Sequence, residues 1–131
     1  MIINELNGEV INTKVVYVHD DELVCMKFES ANKNLQLDFY KKGDKNQKYR
    51  IVFLNVIGFE MTNCDYWGAS ECVLDFEYIS KGERALIPKL ESQWRDNFNN
   101  SISYDNYIES MITFTSGDKW TIACKSIEYV Q

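Results

Sequence analysis

The sequence predicts a mainly β protein, a β-rich α+β chain whose antiparallel sheet curls into a sandwich or a partly open barrel, with about one short helix. Three observations carry this. Short runs of β-branched and aromatic residues recur along the chain, several of them with apolar residues at alternate positions. Polar, turn-forming stretches separate these runs. The single proline, Pro88, stands at the one stretch where apolar residues recur at helical spacing.

Val10 to Val18 and Leu23 to Phe28 are rich in β-branched and aromatic residues, and the acidic run His19-Asp20-Asp21-Glu22 breaks them, which predicts a hairpin. Leu35, Leu37 and Phe39 alternate with Gln36 and Asp38, the pattern of a half-buried strand. The lysine-rich run from Lys41 to Lys48 then reads as a solvated loop. From Tyr49 to Phe59, Ile51, Phe53, Ile57 and Phe59 share one parity and Val52, Leu54 and Val56 the other, which predicts a central strand covered on both faces.

Cys72, Leu74, Phe76 and Tyr78 alternate with Glu71, Val73, Asp75 and Glu77, giving a strand whose acids point away from the core. Pro88 suits the first turn of a helix, where its missing N–H costs no intrahelical bond, and Leu90, Trp94 and Phe98 follow on one stripe. The competing assignment for Ala85 to Leu90 is an edge strand interrupted by the proline. Ile108, Ile112 and Phe114 lead into Ser116-Gly117-Asp118-Lys119, a hairpin turn in which glycine accepts a positive φ. Trp120, Ile122 and Cys124 alternate beyond it, and Ile127 and Tyr129 extend that strand towards residue 131. The sum is about seven strands, with Leu54, Val56, Phe76, Ile112 and Ile122 expected in one core.

The 131 residues contain no repeat, low-complexity tract or linker, so residues 1–131 are expected to form a single β-rich domain. The formal charge of −6 repels phosphate, which disfavours nucleic acid as a direct partner and makes a basic protein the better complement. Four cysteines, Cys25, Cys64, Cys72 and Cys124, lack the paired spacing of a zinc site, and His19 is the only histidine. The cysteines are expected as reduced thiols in a cytoplasmic protein. The stretch MIINELNGEV has neither a basic n-region nor an apolar h-region, and no apolar run is long enough to span a membrane, so export is not expected and the Asn99-Asn100-Ser101 glycosylation triplet is expected to be idle.

No stretch carries the constellation of a known reaction, and the expectation is a non-enzyme without metal or cofactor. Asp20 and Asp21 beside His19 supply pieces of a thiol–imidazole pair in composition only. The acids Asp75 and Glu77, with Asp65 and Glu71, have the residue types of a weak hydrolase or a hard-metal site, and equally of a solvated face. Six scattered glycines form no phosphate cradle. Phe39, Phe53, Phe59, Phe76 and Trp120 would line a cavity for a small apolar ligand if the sheet encloses one, or fill the core if it does not.

Residues 64 to 70 read CDYWGAS. The YWGAS corner, the alternating CVLDFEYI after it, and the Ser-Gly hairpin leading to a strand that ends IACKSIEYV resemble the small β-rich immunity-type proteins of bacterial polymorphic toxin systems. The likeness covers about the second half of the chain. It implies a protein that binds a cognate toxin and blocks it without chemistry of its own. Asp65, Tyr66, Trp67, Glu71, Asp75 and Glu77 then become partner-binding candidates, acids around an aromatic anchor that face a basic toxin domain. Trp67 has two readings, a displayed anchor or a plug at the end of the sandwich.

Overall fold

The computed structural model describes residues 1–62 and 72–131. The described strands form two antiparallel sheets that are not closed into a barrel. The first holds β1 (Ile2–Ile3), β2 (Glu22–Glu29), β3 (Asn34–Lys41), β4 (Asp44–Leu54) and β9 (Ser126–Val130), in the order β1-β9-β4-β3-β2. The second holds β5 (Gly58–Met61), β6 (Val73–Ile79), β7 (Ile108–Phe114) and β8 (Lys119–Cys124), in the order β5-β8-β7-β6. Between them lies one core, built on Leu35, Leu37, Phe39, Ile51, Phe53, Phe76, Ile112, Phe114, Ile122 and Ile127.

The expected strand from Tyr49 to Phe59 divides. β4 ends at Leu54, Asn55 takes a left-handed φ of 52°, and the chain crosses to the second sheet as β5. Beside it the final apolar run divides in the same way, with β8 in the second sheet and β9 in the first. The two crossings support each other: the Lys125 N–H donates to the Leu54 carbonyl at 3.0 Å and the Ile57 N–H to the Ala123 carbonyl at 2.9 Å. Apolar residues of both parities therefore mark strands that change sheets. Inward Phe53 is fully buried, which leaves neighbouring Leu54 half-buried on the outer face and outside the core predicted for it. Val56, Phe76, Ile112 and Ile122 are buried in that core as expected.

The hairpin partner of β2 is β3, not the Val10–Val18 run. That run opens with a 3₁₀ turn at Gly8–Val10 and stays in turns as far as Lys14, whose φ is 65°, so it is no continuous strand. Ile11, Val16 and Val18 still point into the core, but the segment makes no ladder. It lies along the edge of β6 as a strap. The Asn12 side chain accepts from the Tyr78 N–H at 2.9 Å and donates to the Tyr78 carbonyl at 3.1 Å. Further along, Asp20 N–H donates to the Val73 carbonyl at 2.7 Å and Val73 N–H to the Asp21 carbonyl at 2.9 Å.

The lysine-rich run is not a loop. β3 and β4 meet in a turn around Gly43, and β4 begins at Asp44, so the run extends the hairpin as exposed strand. The β7–β8 turn is the one expected, with Gly117 at a φ of 93° and the Phe114 N–H donating to the Asp118 carbonyl at 2.9 Å.

α1 (Leu86–Phe98) is the helix signalled by Pro88, which falls in its first turn; the edge-strand alternative is excluded. Its N-terminus lacks a Ser, Thr or Asp cap. The buried carboxylate of Glu109 on β7 serves instead, accepting the Ala85 N–H at 3.0 Å and the Ile87 N–H at 2.8 Å. Leu86, Ile87 and Leu90 pack with Ile57 and Ala123. A Cβ on Gly58 would stand 2.7 Å from Leu90, so β5 approaches the helix as closely as glycine permits. The expected stripe fades outward: Trp94 is half-buried, and Phe98, tilted against it with ring centroids 4.4 Å apart, is exposed.

Candidate functional site

β6 carries a bulge between Val73 and Asp75, and this one residue changes the faces the alternation predicted. Val73, Phe76 and Tyr78 are buried. Cys72 is only half-buried, and Leu74, expected inside, is 49% exposed. Asp75 and Glu77 then occupy successive outward positions, as the acids were expected to do.

Between these residues and the strap runs a cleft of about 480 Å³, whose walls include Asn12, Lys14, Tyr17, His19, Asp75 and Glu77. Burial pushes the Glu77 carboxyl above the usual glutamate range, the negative charges of Asp75 and Glu83 push it further, and Lys119 opposes them. Among the described residues, neither the Asp75 nor the Glu77 carboxylate takes part in a hydrogen bond or an ion pair. The cleft wall thus holds two acids without an ion-pair partner among the described residues, beside exposed Leu74 and Tyr17.

His19 anchors the strap here. Its Nδ1 lies 2.8 Å from the Leu74 carbonyl, which can only accept, so Nδ1 carries the proton, and Nε2 lies 3.4 Å from Asp20. The ring is engaged with backbone and carboxylate. Cys124 is fully buried, and burial raises its thiol pKa far above the ordinary value, which makes it a poor nucleophile. Among the described residues no group of three or more His, Cys, Asp or Glu side chains is placed to hold a metal ion. Asp75 and Glu77 come from one strand face, whereas paired-carboxylate hydrolysis sets its two groups on opposite sides of the scissile bond.

Of the aromatics considered for a ligand cavity, Phe39, Phe53 and Phe76 fill the space between the sheets. Trp120 packs its edge on Phe114 at 4.8 Å, and Phe59 is partly exposed on β5, against Phe28 at 5.3 Å. The remaining partner-binding candidates, Asp65, Tyr66, Trp67 and Glu71, lie outside the described residues, as does Cys64.

Two buried carboxylates escape a reading of the sequence. Asp21 is indistinguishable in sequence from its half-buried neighbours Asp20 and Glu22, yet it is 3% exposed and bonded to Tyr49. Glu109 sits in an apolar strand with no nearby sequence sign that a helix terminus will reach it. No protein-family model matches the chain, and no curated protein matches it.

Proposed function

We propose that this chain is a non-catalytic protein-binding module, an immunity-type protein that neutralises a cognate toxin with a basic surface in the cytoplasm. The observation that carries the reading is the Asp75–Glu77 pair, held in no ion pair or hydrogen bond among the described residues and set beside exposed Leu74 and Tyr17. A hydrophobic contact framed by acids suits a cationic protein: charge speeds encounter, and desolvated apolar surface supplies short-range energy. The net charge of −6 acts in the same direction. The likeness around YWGAS supplies the class of partner. An apolar-ligand carrier has less support, because core side chains occupy the space between the sheets.

Affinity capture from the native host, together with co-expression beside toxins encoded by neighbouring genes, tests the proposal. A stoichiometric complex and protection from one of these toxins are expected. Absence of both protection and complex with every neighbouring toxin overturns it.

A further inference from the structure

A free sheet edge invites pairing with another chain, and folded proteins usually shorten, cover or charge their edges. Three of the four edges among the described residues are managed in this way. β1 has two residues, β5 has four, and β6 is bonded along its length to the Asn12–Asp21 strap. β2 is different. It is the eight-residue outer strand of its sheet; a bridge from Cys72 covers only its first residue, Glu22, and beyond that bridge Val24, Met26 and Phe28 are 48%, 47% and 39% exposed.

The register gives each face of this edge a chemistry. Met26 stands opposite Leu37 and Phe28 opposite Leu35, so both lie on the core face of the sheet, continuing a row whose next members are fully buried. The Phe28 ring meets Phe59 of the facing sheet at 5.3 Å. On the other face Cys25 stands opposite Asp38, Lys27 opposite Gln36 and Glu29 opposite Asn34, with Glu22 at the start of the strand.

We propose that β2 accepts an added strand from a protein partner, and that this strand alternates apolar with basic residues. Its apolar side chains extend the Leu37–Met26 and Leu35–Phe28 rows and cover Phe59, while its basic side chains lie on the face that carries Glu22 and Glu29. A second copy of this chain is the poorer occupant. Two molecules of charge −6 repel, and self-pairing brings two acids per strand together against one lysine, Lys27. The inference rests on the protein-binding reading for the nature of the partner, but not on the Asp75–Glu77 cleft.

The test uses the whole chain and a capped hexapeptide of alternating valine and arginine, followed by amide NMR and hydrogen exchange. Shifts and slowed exchange confined to β2 and β3 are expected, with no response to the valine–glutamate peptide. Lys27→Glu should tighten binding about two- to five-fold by removing a like charge and adding an opposite one. Met26→Lys should weaken it while leaving the spectrum of the free protein folded. No binding up to about 1 mM peptide overturns the proposal. So does loss of binding on reversal of Asp75 and Glu77 with no effect of Lys27→Glu, which places the peptide in the cleft. Concentration-dependent protection of β2 without peptide, with a dimer in sedimentation, assigns the edge to a second copy and overturns it too. A toxin captured equally by wild type and Met26→Lys leaves the protein-binding reading intact and removes this one.

Discussion

The Tyr49 hydroxyl donates a 2.6 Å hydrogen bond to the buried carboxylate of Asp21, joining the turn before β2 to the middle of β4. The other carboxylate oxygen accepts the Lys42 N–H at 2.7 Å. Lys41 Nζ lies 3.5 Å from the carboxylate and 4.5 Å above the Tyr49 ring. Asp21 also accepts the Val73 N–H through its backbone carbonyl, so one residue ties the strap, the β3–β4 hairpin and β6 together. Burial raises the Tyr49 pKa far above the ordinary tyrosine value, and the bond to Asp21 raises it further.

Tyr49→Phe should therefore destabilise the fold by about 1–3 kcal/mol, because it withdraws a donor from a buried carboxylate rather than removing a balanced pair. Urea unfolding of the two proteins measures this. A change below about 0.5 kcal/mol would mean that Lys41 and Lys42 satisfy Asp21 without the tyrosine.

Ile122 has no exposed surface and lies on β8 between Phe59 and Ser110 in register. Truncation to alanine leaves a cavity that the interlocked sheets cannot close, so Ile122→Ala should cost about 2–5 kcal/mol. A loss under about 1 kcal/mol would remove Ile122 from the core it is placed in.

Ile122 also shows what the sequence made legible. Alternation found most of the core, the Gly117 turn and the Pro88 helix, because each depends on local period or on one residue's backbone geometry. It failed where the chain leaves a regular ladder. The left-handed φ at Asn55 and the break at Lys125 send runs of unchanged hydrophobicity to a different sheet. The bulge on β6 moves Leu74 outward although its neighbours keep their spacing. Val10–Val18 has strand composition and inward residues, yet its bonds to β6 run partly through the side chains of Asn12 and His19. At the candidate site the outward acids Asp75 and Glu77 were legible. The cleft was not, since it is formed by the strap.

Glu77 gives a prediction in pH. Its carboxyl titrates above the usual range in the folded protein, so the folded state binds the proton more tightly than the unfolded state does. The resulting penalty is absent below the unfolded pKa, grows as pH rises through the window between unfolded and folded values, and is fully present above it. Glu77→Gln should thus raise the melting temperature at pH 7, with the difference from wild type shrinking as pH falls through about 4.3, the ordinary glutamate value. A difference that stays constant from pH 7 to below that value would show that the substitution acts through packing and not through charge.

Reversing both acids tests the proposed role of the cleft. In Asp75→Lys/Glu77→Lys the outward positions on β6 are kept and the core residues Val73, Phe76 and Tyr78 are untouched, so the fold should survive. Against a toxin captured by the wild-type protein, association should slow and its dependence on salt should flatten, while dissociation changes less, because charges at the rim of a contact act chiefly on encounter. Stopped-flow association across a salt series, with unfolding measured on the same variant, separates the effects. An unchanged association rate in a protein that remains folded would exclude Asp75 and Glu77 from steering the partner, and the acid pair would then be a solvated face with no part in recognition.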